Sequence, residues 1–131
     1  RNMNERWATY NGKTYSASLR IDGSVILRST NAMDIINGFQ SNSNKNSQYK
    51  CFKIVPRKDI SELYDIVNKV EYKGYVGNIL EEQGNKINIE IDNLYTEEAE
   101  ALQMDYATDK GIYAKWVNKS DVKIRTEKIK L

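Results

Sequence analysis

Lys53-Ile54-Val55-Pro56-Arg57-Lys58-Asp59-Ile60 returns 62 positions later as Lys115-Trp116-Val117-Asn118-Lys119-Ser120-Asp121-Val122. At the same spacing Tyr10-Asn11-Gly12 becomes Tyr72-Lys73-Gly74. Overall identity at this spacing is near chance, so the case for a duplicated unit rests on clustering. Identical Lys, Val and Asp fall close together, beside the similar pairs Arg57 with Lys119 and Ile60 with Val122, and each copy has its own upstream Tyr-x-Gly. A unit of about sixty residues used twice suits a surface assembled from modules better than a single deep catalytic cleft. The competing explanation is two β-rich halves that share turn chemistry by convergence.

Outward from these anchors, the chain reads as short strands punctuated by turn dipeptides. Trp7 to Tyr10, Tyr15 to Ile21 and Ser24 to Arg28 are separated by Asn11-Gly12 and Asp22-Gly23, pairs that supply the positive φ angles of tight hairpins. Val25 and Leu27 share the expected core face. Thr30 to Phe39 reads as a weak helical turn with Met33, Ile35 and Ile36 as its apolar side, stopped by Asn37-Gly38. The Ser- and Asn-rich run 40–48 is expected to be flexible. Tyr49 to Val55 is a strand ended by Pro56. The stretch 59–67 carries apolar residues at helical spacing, but its counterpart 121–125 alternates strictly, so a turn followed by a strand over Leu63 to Val67 is expected.

The second half repeats the layout. Val70 to Tyr75, Val76 to Glu82 and Lys86 to Asp92 form a meander, with Ile87, Ile89 and Ile91 on one face. Thr96 caps a helix expected to reach Ala107, with Ala99, Leu102 and Tyr106 facing inward. Ile112 to Val117 and Val122 to Ile129 close the unit.

Composition narrows the chemistry. The chain has 131 residues, 40% of them hydrophobic and 29% charged, which fits a folded globular protein rather than a disordered one. No apolar run approaches a membrane span and no signal-peptide pattern precedes Trp7, so a cytoplasmic location and no membrane partner are expected. Arg1-Asn2 ahead of Met3 reads as a cloning remnant, with Met3 as the natural start. There is no histidine, which removes the commonest general base, the usual zinc ligand and the partner that would activate the lone Cys51. No glycine-rich phosphate loop, triad spacing or metal motif is present. The expectation is a non-enzyme with no catalytic residue, cofactor or metal.

Charge is divided unevenly. Residues 1–65 carry 10 Lys and Arg against 6 Asp and Glu, and residues 66–131 carry 10 against 12. Neither is the basic footprint of a dedicated nucleic-acid binder, whereas opposite signs suit a charged protein partner. Nine tyrosines stand beside Trp7 and Trp116, and such side chains bury much area at interfaces for little rotamer loss. Glu97, Glu98, Glu100, Asp105 and Asp109 come without a basic residue until Lys110, interleaved with Tyr95, Tyr106 and Tyr113. These eight residues are the candidate partner-binding set; the alternative is an ordinary solvated helix face. Lys53, Arg57, Lys58, Lys115, Lys119, Lys123, Arg125, Lys128 and Lys130 make the closing segments basic, either for solubility at a sheet edge or as a phosphate-tracking stripe.

Two resemblances follow. Each half resembles an SH3-like module, carried by Tyr10-Asn11-Gly12, Tyr72-Lys73-Gly74 and the two Lys-x-Val-x-x-x-Asp segments. It implies a mainly β protein of two tandem SH3-like small β-barrels, residues 4–66 and 67–131, with a short helix in the second; the alternative is a single α+β domain. The opening Trp-x-x-Tyr-Asn-Gly-Lys, Ile26-Leu27-Arg28-Ser29 and the Tyr113-x-Lys115-Trp116-Val117-x-Lys119-Ser120-Asp121-Val122 ending also resemble small bacterial immunity proteins encoded beside polymorphic or contact-dependent toxins. That resemblance implies a non-catalytic antitoxin that binds a cognate toxin domain, such as a nuclease, and blocks its active site or substrate approach. The alternative function is a tandem SH3-like nucleic-acid-binding protein using the lysine-rich strands, the only reading in which nucleic acid is a partner.

Overall fold

The computed structural model describes residues 5–131; the expected start at Met3 lies outside the described residues. Eleven strands build one mainly antiparallel sheet: β1 (Glu5–Tyr10), β2 (Lys13–Leu19), β3 (Val25–Ser29), β4 (Gln40–Ser41), β5 (Cys51–Val55), β6 (Glu62–Tyr72), β7 (Tyr75–Gln83), β8 (Lys86–Ile91), β9 (Tyr106–Asp109), β10 (Ile112–Asn118) and β11 (Lys123–Lys130). Short 3-10 turns cover Ala32–Asn37, Arg57–Asp59 and Lys119–Asp121, and the one α-helix among the described residues is α1 (Thr96–Ala101). Hydrogen-bonded neighbours run β4-β5-β3-β2-β1-β6-β7-β8-β10-β9, with β11 also paired to β6.

The chain divides into two compact units, Glu5–Ile66 with Lys128–Leu131, and Val67–Glu127. In the N-terminal unit Ala8, Tyr15, Ala17, Val25, Leu27, Phe39, Cys51, Val55, Ile60 and Leu63 form the core. In the C-terminal unit Val70, Tyr72, Ile79, Ile87, Ile89, Ile91, Leu94, Leu102 and Val117 do so. Burying each large aliphatic side chain contributes about 1.5–3 kcal/mol, the main force holding units of this size.

The expected closure into SH3-like barrels is not what forms. The strand order is open: β6 pairs with β1 in the N-terminal unit and with β7 in the C-terminal unit, with β11 as a further partner, and no pairing among the described residues joins β5 to β6 or β10 to β11. The α+β alternative fails on the helix, which is only six residues long.

The 62-residue correspondence holds in the backbone. Both Tyr-x-Gly turns use the same left-handed pair, Asn11 (φ 49°) with Gly12 (φ 78°) and Lys73 (φ 47°) with Gly74 (φ 87°). Pro56 and Asn118 each precede a three-residue 3-10 turn, and Ile60 and Val122 follow them with the same N–H bond back to Arg57 and Lys119 respectively. Five core positions match: Ala8 with Val70, Ala17 with Ile79, Val25 with Ile87, Leu27 with Ile89 and Val55 with Val117 are all buried.

Three local expectations fail. The apolar residues of the first excursion point outward, with Met33 63% and Ile36 77% exposed, while Asp34 is 4% exposed. The second excursion is helical only to Ala101, and Tyr106 begins a strand instead of facing inward. The expected break between Val67 and Val70 is absent, since β6 continues through to Tyr72.

Candidate partner-binding site

The second excursion, between β8 and β10, carries seven of the eight candidate residues, and the eighth, Tyr113, stands at the start of β10. Its helix starts at Tyr95, whose backbone N–H donates to Glu98 Oε1 at 2.9 Å. Glu98 Oε2 also accepts from the Tyr75 hydroxyl at 2.8 Å. These two bonds, the backbone one first, hold the Glu98 carboxyl below its usual range, and the bond to Glu98 raises the Tyr75 phenol. Glu98 therefore anchors α1 and is poorly placed to meet a partner. The short helix then turns back, with Leu102 N–H bonded to Glu98 O and Met104 N–H to Ala99 O. Asp105 ends the excursion by accepting the Trp116 N–H at Oδ2 over 2.9 Å, which aligns β9 against β10.

Glu100, Asp105, Tyr106 and Tyr113 border one hollow of about 380 Å³, together with Thr96, Ala99, Gln103, Met104 and Ala107. Ladder pairing separates the two tyrosines. Tyr113 pairs with Ala107 and Ala114 with Tyr106, and side chains alternate along a strand. Tyr113 and Met104 accordingly pack on the C-terminal core, whereas the Tyr106 hydroxyl is spent accepting from Asn88 Nδ2 at 2.8 Å. Outside the hollow, Tyr95 is 77% exposed and Glu97 is exposed. Asp109 binds the neighbouring Lys110 N–H and sits at the far end of β9. Among the described residues the carboxylates of Glu97 and Glu100 meet no ion-pair partner.

Lys115, one of the basic candidates, has a duty that the sequence reading did not assign to it. Its ammonium donates to Leu102 O and Gln103 O, both at 2.9 Å, and so ties the carbonyl end of the excursion to β10. Lys53, its counterpart in the repeat, reaches Asn37 O at 3.4 Å and the Tyr10 hydroxyl at 3.1 Å. The signal was present: an identical lysine at matching positions of both units, read only as a solubility charge or part of a phosphate-tracking stripe. Met104 was missed as well, since one apolar residue after a helix carries no periodicity of its own.

The basic candidates are largely engaged. Arg57 donates to Ile60 O and Leu131 O, Lys119 pairs with Glu82, Arg125 with Glu71 and Glu127, and Lys128 and Lys130 with Glu62. Of the nine, Lys58 and Lys123 are left without a partner among the described residues. No group of three acids or cysteines able to hold a metal ion occurs among the described residues, and no helix there is long and apolar enough to cross a membrane.

The chain belongs to the family described as uncharacterised conserved protein UCP033725, whose model matches residues 3–131. No curated protein and no solved structure matches it.

Proposed function

We propose that this protein is a non-catalytic binding protein that neutralises a cognate bacterial toxin domain in the cytoplasm by covering its active site or substrate approach. The contact surface is the second excursion with the start of β10, through Tyr95, Glu97, Glu100, Asp105 and Tyr113. The observation that carries this reading is the contrast in unspent charge. The excursion presents free carboxylates beside an exposed tyrosine, while seven of the nine candidate cations already have partners within the chain. Free acids beside aromatic surface complement a basic substrate groove, such as that of a nuclease, and like-charged partners are rejected. Phosphate tracking would draw instead on lysines and arginines whose bonds would first have to break.

The test is co-expression with the C-terminal domain encoded by the adjacent gene. Growth arrest by that domain, relieved by this protein, is the expected result. Glu97→Lys with Glu100→Lys raises the dissociation constant by about 100-fold, since like charges placed opposite a groove cost several kcal/mol. Glu98 is left intact because reversing it would also loosen α1. A neighbouring domain that is harmless, or an affinity unmoved by the double reversal, overturns the reading. Binding to a single-stranded oligonucleotide with a steep linear loss of log affinity against log salt would replace it with the nucleic-acid function.

A further inference from the structure

The hollow between α1 and β9 has two kinds of wall. Ala99, Met104, Ala107 and Tyr113 give it an apolar floor, and Met104 and Tyr113 are themselves packed on the core, so the floor is backed by fixed structure. Glu100 and Asp105 stand at its rim, with Thr96 and Gln103 as neutral polar neighbours. Lys115 of β10 is directed at the carbonyls of Leu102 and Gln103, and among the described residues neither carboxylate has an ion-pair partner. Asp105 spends Oδ2 on the Trp116 N–H and retains its other oxygen. An apolar floor with an anionic rim matches a side chain that is aliphatic along its stem and cationic at its head. A carboxylate-bearing or purely apolar side chain would leave one of the two walls uncompensated.

We infer that this hollow receives a lysine or arginine side chain from a protein partner, the stem lying on Met104 and Tyr113 and the head meeting Glu100 and Asp105. The inference rests on the binding surface proposed above and specifies what that surface recognises: a protruding basic residue. The Tyr113 ring adds attraction for the cation, more for a planar guanidinium that can stack on it than for an ammonium.

The test uses the whole protein and small probes, independently of any toxin. With methionine methyl groups labelled and the Met104 signal assigned through Met104→Leu, the probes are Nα-acetyl-arginine amide, Nα-acetyl-lysine amide and, as an uncharged control, Nα-acetyl-norleucine amide. Saturable shifts of the Met104 methyl with both basic probes and not with norleucine are expected, weakened about tenfold in Glu100→Gln, as loss of one charged hydrogen bond requires. A stronger response to arginine than to lysine is the signature of stacking on Tyr113. Equal shifts with norleucine, or none with any probe, overturn the inference. Basic probes that bind a protein unable to neutralise a toxin leave the hollow standing and remove the proposed function. Neutralisation that survives Glu100→Lys, with no probe binding, removes the hollow and leaves the function.

Discussion

The two excursions occupy the same place in the repeat, between the third strand of each unit and the short strand that pairs with its fifth, yet they are held down by opposite means. In the N-terminal unit the anchor is a buried carboxylate. Asp34 accepts from the Ser29 hydroxyl at 2.6 Å and from Asn37 Nδ2 at 3.0 Å, and Met33, Ile35 and Ile36 are pushed into solvent around it. In the C-terminal unit the position of Ser29 is taken by Ile91 and that of Asp34 by Thr96, and Leu94, Ala99 and Leu102 are the buried anchors. Burial there falls to the apolar residues, so the acids are left outside. The difference teaches that an excursion's outer chemistry is set by what its inner residues use up: one unit hides its acid and shows isoleucine, the other hides leucine and shows its acids.

The largest expected effect breaks the comparison at Gly77. Its counterpart is Tyr15, which packs on Phe39 with ring centroids 5.1 Å apart. A methyl group at Gly77 would overlap the Glu90 carbonyl oxygen of β8, a backbone atom that cannot swing away. Gly77→Ala is expected to destabilise the protein by about 3 kcal/mol, measured by urea denaturation, with a comparable loss for Tyr15→Ala through cavity formation. Gly77→Ala within 0.5 kcal/mol of the parent would show that β7 and β8 do not approach so closely.

An intermediate effect tests the buried acid. The Ser29 and Asn37 hydrogen bonds hold the Asp34 carboxyl below its ordinary value in the folded protein. A carboxyl depressed on folding contributes stability that is full above its unfolded pKa and is lost as pH falls through the folded one. Asp34→Ala, which takes away the short bond from the Ser29 hydroxyl and leaves it only the longer contact to Asn31 O, should cost about 2 kcal/mol at pH 7 and progressively less on acidification below pH 4. Thr96→Ala at the matching position should leave the pH profile unchanged. Parallel pH profiles for parent and Asp34→Ala would contradict the ionised, hydrogen-bonded state of Asp34.

The smallest effect sharpens the one device that the units share. Lys53→Met and Lys115→Met each remove an ammonium from the carbonyl end of an excursion while keeping an apolar stem. Each is expected to cost about 1 kcal/mol in thermal or urea unfolding. Lys115→Met should cost more, since its two contacts are both 2.9 Å whereas the Lys53 contact to Asn37 O is 3.4 Å. The reverse order would mean that the Tyr10 hydroxyl and ring, which Lys53 also meets, dominate its contribution.

Strand positions were legible because turn chemistry is local. Asn11-Gly12 and Pro56 mark their boundaries through φ angles and a missing donor, and Val25, Leu27, Ile87 and Ile89 mark their inner face through alternation; Lys73-Gly74, read as lying inside a strand from Val70 to Tyr75, is in fact the turn between β6 and β7. What was not legible depends on which partners the fold selects. Ser29 is only five residues before Asp34, but nothing in the apolar run announces that its hydroxyl will donate to that carboxylate and draw it into the interior while the isoleucines turn out. The helix stops short of Ala107 because Asp105 takes the Trp116 N–H and β9 folds back on β10 as a short hairpin, inside the stretch that the helical spacing of Ala99, Leu102 and Tyr106 had claimed. Barrel closure failed as an expectation for the same reason: it is a statement about which distant edge β6 finds. At the candidate site, the acids and tyrosines could be read from composition, but the separate duty of Glu98, the opposite faces of Tyr106 and Tyr113, and the role of Lys115 required the ladder and the turn.

Cys51 belongs to only one of the two units, where it is fully enclosed and its thiol proton is directed at Asn31 O. Enclosure raises its pKa, chiefly by excluding water, so it stays a protonated and unreactive sulfur while β3 and β5 remain zipped. Any labelling of this protein by an alkylating reagent is therefore a clock for the breathing of its first half and is silent about its second.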